Sequence, residues 1–139
     1  MKSLKVNIVT PEKIAWEAEA VSVTLPGSDG YLGVWAHHAP LVTGLVPGAI
    51  TIKLSDAGPT KLMACGGGFV EISANTVNIM SDTCEDAGEI DADRAKAALA
   101  RAKDRIAQAA HDVAIDRDRA KLALERAEAR LKVLELMDR

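Results

Sequence analysis

The chain of 139 residues changes composition abruptly at Gly88, and this change constrains its fold more than any other feature. All ten glycines, all five prolines and all four aromatic residues lie at or before Gly88. The 51 residues that follow contain 14 alanines and 23 charged side chains, of which 12 are basic and 11 acidic. Glycine and proline mark turns, whereas alanine, leucine, lysine, arginine and glutamate favour helices. We therefore expect two unlike domains, a β-domain over residues 1–88 and a helical domain over residues 89–139.

In the first domain, short stretches of alternating apolar and polar residues are separated by turn residues. These stretches cover residues 4–9, 21–25, 50–54, 69–72 and 77–80. Each predicted strand has one apolar and one polar face, which is typical of antiparallel sheets that pack face to face. Because aromatic residues are few, we expect an antiparallel β-sandwich with an aliphatic core.

In the second domain the apolar residues repeat with a period near 3.6, which indicates amphipathic helices. Two stripes have matching offsets: Ala95, Ala98, Leu99, Ala102, Ile106 and Ala109, then Ala120, Ala123, Leu124, Ala127, Leu131 and Leu134. Asp91 and Asp116 precede them as predicted N-caps. The short connection between the helices predicts an antiparallel hairpin. Since alanine buries little area, we expect this hairpin to fold conditionally or to need another surface to lean on.

Several classes of protein are disfavoured by composition. The formal net charge of −3 argues against nucleic-acid binding. Two cysteines, Cys65 and Cys84, exclude a disulfide framework and an all-cysteine metal site. No apolar run approaches the ~18 residues of a membrane span, and the N-terminus lacks the pattern of a signal or transit peptide. We expect a soluble protein of a reducing compartment.

The residues with chemical potential do not converge on an active site. His37 and His38 are adjacent, so on an extended chain their rings point to opposite sides and chelate no common metal. Cys65 precedes three glycines, where backbone geometry explains the sequence better than thiol chemistry. Cys84 lies among acidic residues that disfavour a thiolate, so both cysteines are expected to be inert. No nucleophile, base and oxyanion donor come together, and we expect neither catalytic residues nor a metal site.

Four arginines of the helical domain form a pattern with two interpretations. Arg94 and Arg101 are seven residues apart on the first helix, and Arg126 and Arg130 are four apart on the second. If the hairpin closes, the four side chains can surround one polyanion, because the guanidinium fork suits phosphate oxygens. The alternative is a solvated face with neighbouring carboxylates. On periodicity alone the solvated face is favoured.

Motifs of the first domain resemble signatures of a known family. Residues 32–48, LGVWAHHAPLVTGLVPG, are similar to the pattern Leu-Gly, then Gly-His-Ala-Pro-Leu, Thr and Pro-Gly in the epsilon subunit of F-type ATP synthase. GGFVEI at residues 67–72 looks like the second signature of that family, and VTPE at residues 9–12 also fits. His37 departs from the pattern, since the family usually has glycine there. The resemblance extends over the whole chain.

The resemblance implies an α+β fold, with a β-sandwich of about ten strands followed by the two-helix hairpin. It implies a non-catalytic subunit of the rotor and central stalk, bound to the gamma subunit and the ring of c subunits, that helps to couple proton or sodium flow to ATP synthesis. It also implies that the hairpin can extend into the catalytic alpha/beta head and inhibit ATP hydrolysis. The interface residues implied by it are Asp29, Tyr31, His38, Ala39, Pro40 and Leu41.

A second resemblance concerns nucleotide binding. IDADRA at residues 90–95 is similar to the ATP-binding pattern of the family, Ile/Leu-Asp-x-x-Arg-Ala. The residues that this resemblance carries over are Glu85, Ile90, Asp91, Arg94, Ala95, Arg101, Arg126 and Arg130. We expect Arg94, Arg126 and Arg130 to hold the phosphates of a regulatory ATP, which is no required cofactor.

The family also implies a location: the periphery of the cytoplasmic face of a bacterial inner membrane, or the stromal face of a plastid thylakoid, without insertion into the bilayer.

Two alternative functions from other classes of protein stay open. One is a free-standing nucleotide sensor, which needs the arginines but not the interaction surfaces of the sandwich. The other is a helical-hairpin adaptor, which needs neither. Co-purification with a gamma subunit distinguishes both from a stalk subunit.

Overall fold

The structure, a computed structural model, describes residues 2–138 and contains strands followed by helices. The strands are β1 (Leu4–Val9), β2 (Ile14–Ala20), β3 (Ser22–Gly27), β4 (Gly30–Trp35), β5 (Leu41–Lys53), β6 (Thr60–Ser73), β7 (Thr76–Ser81) and β8 (Cys84–Asp86). A single 3-10 turn (Ala87–Glu89) leads into the helices α1 (Ala92–Ala109) and α2 (Arg117–Met137). Within residues 2–138, no helix is both long and apolar enough to span a membrane.

The strands are hydrogen-bonded in the order β2-β1-β7-β6-β5-β3-β4, and β8 pairs with β6. Every pair is antiparallel except β1 and β7, which run parallel. The predicted β-sandwich followed by two helices is confirmed. The described residues form eight strands rather than about ten.

The smaller number of strands follows from the length of β5 and β6, which run for 13 and 14 residues. In β5, Leu45 faces the core before Pro47–Gly48, and Ile50 and Ile52 face it afterwards. In β6, Met63 and Cys65 face the core before Gly66–Gly68, and Val70 and Ile72 face it afterwards. The core-facing positions thus change between odd and even numbers in both strands. Each strand bends at its glycines and continues beyond them, so that each forms one long strand instead of two short strands.

The core is aliphatic, as predicted. Its largest fully buried side chains are Leu4, Ile8, Leu25, Ile50, Ile52, Ile72 and Ile79. Among the aromatic residues only Trp16 packs against this cluster, while Tyr31, Trp35 and Phe69 are exposed. The aromatic side chains are therefore available for contacts outside the core.

Backbone geometry explains the glycine run after Cys65. Gly67 and Gly68 have φ of 100° and 139°, and a Cβ at Gly68 would overlap the carbonyl oxygen of Met80. The prediction that backbone geometry dictates this run is confirmed. His37 has a φ of 63°, which is the left-handed conformation that glycine adopts without strain. His37 therefore lies in a turn that His38 follows, and the expectation of an extended chain through both histidines was wrong.

Both predicted N-caps are confirmed. Asp91 accepts a hydrogen bond from the backbone N–H of Arg94 at 3.1 Å, and Asp116 accepts one from Arg119 at 3.1 Å. The helices form a hairpin, and α2 rests on β5 and β6 of the sandwich. The surface on which the alanine-rich hairpin was expected to lean is thus the sandwich itself.

Candidate functional site

An open cleft of about 390 Å³ lies where the hairpin meets the end of the sandwich. Its lining residues come from β8, α1 and α2: Glu85, Asp91, Arg94, Ala95, Ala98, Arg101 and Arg130. Ligand-binding clefts of proteins commonly have volumes of about 300–1,000 Å³. Six of the eight residues expected to bind nucleotide line this cleft, and they come from three separate elements.

Helical geometry brings the α1 residues to the cleft. Asp91 caps the helix, and Arg94, Ala95, Ala98 and Arg101 follow at spacings of three and four residues, which places them on one face. Ala95 is buried, whereas Arg94 and Arg101 are exposed. The small alanine side chains leave room between the two guanidinium groups. Ala98 was not predicted to belong to the site, although its position one turn after Arg94 was a usable signal.

Arg130 enters the cleft from α2 and is already paired. Its Nε donates to Oε1 of Glu85 at 2.6 Å, and both side chains are partly buried. A partly buried pair with such a short hydrogen bond is stronger than an ordinary surface ion pair. With three arginines and two carboxylates, the cleft has an excess of one positive charge when all five groups are ionised.

Two of the expected nucleotide-binding residues lie outside the cleft. The Arg126 Nε donates to the carbonyl oxygen of Gly66 at 3.0 Å, and its Nη2 lies 3.6 Å from Oδ2 of Asp82. Ile90 packs against a small apolar cluster between the sandwich and α2. Both residues therefore hold the hairpin on the sandwich in this structure.

That apolar cluster, which we call the docking cluster, is formed by Ala49, Leu62, Ala64, Ala87, Ile90, Val133 and Leu136. Ala49 and Ala64 are cross-strand partners on β5 and β6, and Val133 of α2 is fully buried against the cluster. The cluster is small, so its hydrophobic contribution is modest. Two arginine contacts supplement it, and the hairpin is held by few interactions.

A second charged contact fixes the start of the connection to the hairpin. The ammonium of Lys61 pairs with the carboxylate of Asp86, which also accepts a hydrogen bond from the N–H of Gly88 at 3.0 Å. These two donors, with Lys61 first, hold the pKa of Asp86 below its usual value. Lys61 also lies 6.0 Å from the centroid of the Trp16 ring. The chain is thus anchored immediately before it leaves the sheet.

The outer face of the other half of the sandwich carries an apolar band, which we call the exposed stripe. It consists of Ile14, Val9, Met80, Phe69 and Val42, on five neighbouring strands. Ile14 and Val42 are 63% and 66% exposed, and Phe69 is 49% exposed. A contiguous exposed apolar surface of this kind is typical of interaction sites.

The six expected interface residues form two groups. Asp29 and Tyr31 lie at the start of β4, whereas His38, Ala39, Pro40 and Leu41 follow its end, so the rest of β4 separates the two groups. The Tyr31 hydroxyl accepts a hydrogen bond from the N–H of Ala49 at 2.9 Å. Its side chain is 58% exposed and lines an open groove together with Glu128, Ala129 and Lys132 of α2.

The chain matches a known family along most of its length. Residues 3–87 match the family described as ATP synthase, Delta/Epsilon chain, beta-sandwich domain, and residues 89–135 match ATP synthase, Delta/Epsilon chain, long alpha-helix domain. It is 42% identical over 105 residues to the ATP synthase epsilon chain of Desulforamulus reducens. The aligned region covers 76% of this chain and 78% of the relative. The chain belongs to the ATP synthase epsilon chain family.

A second relative supports this membership, and two solved structures share the fold. The epsilon chain of Moorella thermoacetica is 42% identical over 106 residues, with coverage of 76% of this chain and 78% of the relative. A chain of the Euglena gracilis mitochondrial ATP synthase shares the fold at a TM-score of 0.81 and 22% identity, covering 100% of this chain and 83% of its own. A chain of the Tetrahymena thermophila mitochondrial ATP synthase has a TM-score of 0.55 and 22% identity, with coverage of 68% and 75%.

Proposed function

We propose that this chain is a non-catalytic rotor subunit of the central stalk of an F-type ATP synthase. In this role its sandwich joins the gamma subunit to the c-ring and helps to couple ion flow to ATP synthesis. We propose further that its helical hairpin inhibits ATP hydrolysis when it leaves the sandwich, and that ATP in the cleft keeps it docked. The observation that carries the regulatory part is the cleft itself, where arginines of both helices face a carboxylate of the sandwich.

The proposed docking of the sandwich uses two surfaces. The exposed stripe is assigned to the gamma subunit because it is apolar and lies away from the hairpin. The turn with Asp29 and Tyr31 is assigned to the c-ring. The solved structures that share the fold support this choice of partners, because they are of the F1 part with the c-ring in Euglena gracilis and of the central stalk with the c-ring in Tetrahymena thermophila. Assembly on the ring would place the chain at the periphery of the membrane, on the cytoplasmic face in a bacterium.

In the proposed nucleotide complex, Arg94, Arg101 and Arg130 hold the phosphates. Each guanidinium offers a fork of N–H donors to phosphate oxygens. Arg126 is assigned to docking instead, because it contacts Gly66 and Asp82. Binding would close the gap between α1 and α2 and connect both to β8.

The Arg130–Glu85 pair sets the cost of this binding. The Nε of Arg130 lies 2.6 Å from Oε1 of Glu85, which neutralises its charge. The phosphates must therefore share this guanidinium with the carboxylate or displace the carboxylate from it. A polyphosphate has more charge than one carboxylate, which favours the exchange, but the competition lowers the affinity. We therefore expect weak binding, as suits a sensor of ATP at cellular concentrations.

The free energy of ATP binding can shift the docking equilibrium of the hairpin but cannot fully reverse it. A ligand at 100 times its dissociation constant stabilises the state that binds it by about 2.7 kcal/mol. Reversal of a two-state equilibrium from 1:99 to 99:1 requires about 5.5 kcal/mol. ATP alone thus shifts the hairpin toward docking without abolishing its release, and the few contacts of the docking cluster are consistent with such a balance.

Isothermal titration calorimetry of the full-length chain with ATP tests the nucleotide site. Arg94→Gln should abolish the binding heat, because it removes a cleft guanidinium that makes no ion pair within residues 2–138. Arg105→Gln is the matched control, since this arginine lies on the same helix but outside the cleft lining. Absence of binding heat and of a thermal shift with the unaltered chain at millimolar ATP would exclude the site.

The inhibitory role is tested by ATP hydrolysis in the reconstituted catalytic complex. A chain ending at residue 88 keeps every strand, so it should still bind gamma and sustain synthesis. Hydrolysis should be faster with this shortened chain than with the full-length chain. Equal rates with both would show that the hairpin of this family member does not inhibit.

A further inference from the structure

The two cysteines, far apart in sequence, lie directly opposite each other at the base of the hairpin. Cys65 of β6 is the antiparallel partner of Cys84 of β8. The neighbouring N–H of Gly66 donates to the carbonyl oxygen of Thr83 at 2.8 Å, which makes the Cys65–Cys84 pair a non-hydrogen-bonded one. The Cα atoms of such pairs are about 4.5 Å apart, within the range of about 4.4–6.8 Å that a disulfide bridges.

The thiols also share one face of the sheet. Cys65 is buried in the core, and Cys84 packs against the same core cluster from its edge. The Cys84 Sγ lies 4.0 Å from Sδ of Met63, the residue two positions before Cys65 and on the same face of β6. Both cysteines are free thiols in this structure.

Cys84 is reachable from solvent, whereas Cys65 is not. Cys84 lines an open cleft of about 290 Å³ between the β1–β2 turn, at Thr10–Lys13, and the Asp82–Glu85 segment. Cys65 is only 1% exposed. A small oxidant therefore meets Cys84 first, and Cys65 is positioned as the resolving thiol beneath it.

We propose that Cys65 and Cys84 form a reversible thiol–disulfide site that reacts with low-molecular-mass disulfides such as oxidised glutathione. The Cys84 thiolate attacks one sulfur of glutathione disulfide and releases one glutathione thiol, which takes up the proton. Cys65 then loses its proton, and its thiolate attacks the Cys84 sulfur of the mixed disulfide. The Cys65–Cys84 bond forms, the bond between Cys84 and glutathione breaks, and the second glutathione leaves as a thiolate that takes up the proton. The two protein thiols are oxidised, and one glutathione disulfide is reduced to two thiols.

The position of this bond links it to the hairpin. Gly66, next to Cys65, accepts the hydrogen bond of Arg126, and Glu85, next to Cys84, accepts that of Arg130. A disulfide between the strands fixes the spacing of these two acceptors. Oxidation therefore favours the docked hairpin, and it does so without nucleotide.

The reaction is slow at neutral pH. Burial, followed by the neighbouring Cys65 and then Glu85 and Asp86, raises the pKa of Cys84 to about 12. Only a small fraction of Cys84 is thiolate at pH 7, and this fraction rises about tenfold for each unit of pH. The site thus responds to sustained oxidation rather than to brief exposure.

The test is a redox titration of the folded full-length chain in glutathione buffers at pH 8, quenched with acid and followed by alkylation and intact mass. Increasing oxidation should convert a species with two alkyl groups into one with none and no attached glutathione. Cys65→Ala should accumulate the mixed disulfide on Cys84, and Cys84→Ala should remain unmodified. Two alkylatable thiols at every ratio, or a stable mixed disulfide on the unaltered chain, would overturn the proposal.

Hydrogen exchange tests the link to the hairpin. The oxidised chain should exchange the amides of α1 and α2 more slowly than the reduced chain in the absence of nucleotide. The Cys84→Ala chain, which stays unmodified in both buffers, should show no such difference. Equal exchange of the helices in oxidised and reduced unaltered chain would contradict the proposed effect on docking.

Discussion

His37 shows how a single residue can carry a strain that the fold tolerates. Its φ of 63° suits glycine, and its N–H donates to Oδ1 of Asn75 at 2.8 Å. Asn75 also donates to the carbonyl oxygen of Ser3 at 2.9 Å. The turn therefore ties together the ends of three strands, and these hydrogen bonds keep a side-chain-bearing residue in a conformation that costs about 1–2 kcal/mol.

Replacement of this histidine by glycine should stabilise the chain. His37→Gly removes the strain and keeps the backbone hydrogen bond, while the added freedom of the unfolded chain offsets part of the gain. We expect a net gain of about 0.5–1 kcal/mol, measured as a higher midpoint of thermal unfolding. His38→Gly, at a position without positive φ, should lower the midpoint. A lower midpoint for His37→Gly would contradict the assigned strain.

Asp86 makes stability depend on pH in the acid range. Because the ion pair with Lys61, and then the Gly88 N–H, lower its pKa in the folded chain, its contribution is complete above the unfolded pKa of about 3.9 and is lost as pH falls through the folded value. Asp86→Asn keeps an acceptor for Gly88 and removes only the charge. Its melting temperature should lie below that of the unaltered chain at pH 7, and the gap should close below about pH 4. A gap that does not change with pH would exclude this ion pair as the cause.

At the scale of the elements, the regular features were predictable and the bends were not. Alternation located β1, β3 and β7, and the aspartate caps located both helix starts. The strands β2, β4 and β8 were missed, because β2 and β4 each have a single buried residue and β8 has only three residues. The length of β5 and β6 was missed because their glycines resemble turns, whereas the chain bends there and continues.

The sequence also concealed a second buried face of α2. Its predicted stripe faces α1, and Ala120 and Ala127 of that stripe are buried. Ala129 and Val133 lie off the stripe and are buried too. Val133 belongs to the docking cluster. One apolar stripe predicts one packing partner, so it does not reveal that α2 packs against both α1 and the sandwich. The cleft was more accessible to prediction, because the motif at residues 90–95 identified its α1 wall.

Val133 should therefore control docking without controlling the fold of the sandwich. Val133→Ala removes two methyl groups from a fully buried site, at a cost of about 2 kcal/mol. We expect faster hydrogen exchange in α1 and α2 and unchanged exchange in the strands. Leu122→Ala, at a 37% exposed position of the same helix, is the control and should change little. Equally faster exchange throughout the chain after Val133→Ala would show that hairpin and sandwich unfold as one unit.

On the scale of the whole molecule, the two outer faces of the sandwich have different roles. One face carries α2 through the docking cluster, and the other presents the exposed stripe. This separation allows the chain to stay on a partner through one face while the hairpin leaves the other. In the proposed function, one face of the sandwich stays on the stalk while the other face releases the hairpin.

The exposed stripe can be tested by its effect on assembly. Phe69→Gln replaces a half-exposed aromatic ring at the centre of the stripe, so it should weaken binding to the gamma subunit at least tenfold while leaving the melting temperature within about 2 °C. Val113→Gln, in the exposed connection between the helices, is the control and should bind as the unaltered chain does. Binding of Phe69→Gln that equals the control would remove the stripe from the gamma interface.

The proposed regulatory function depends on a hairpin whose docking responds to ATP. Hydrogen exchange of the full-length chain with and without millimolar ATP measures this response directly. The amides of α1 and α2 should exchange more slowly with ATP, and those of the core strands should not change. The Arg94→Gln chain should show no response, and the Arg105→Gln chain should respond as the unaltered chain does. Identical exchange of the helices of the unaltered chain with and without ATP would contradict the central claim.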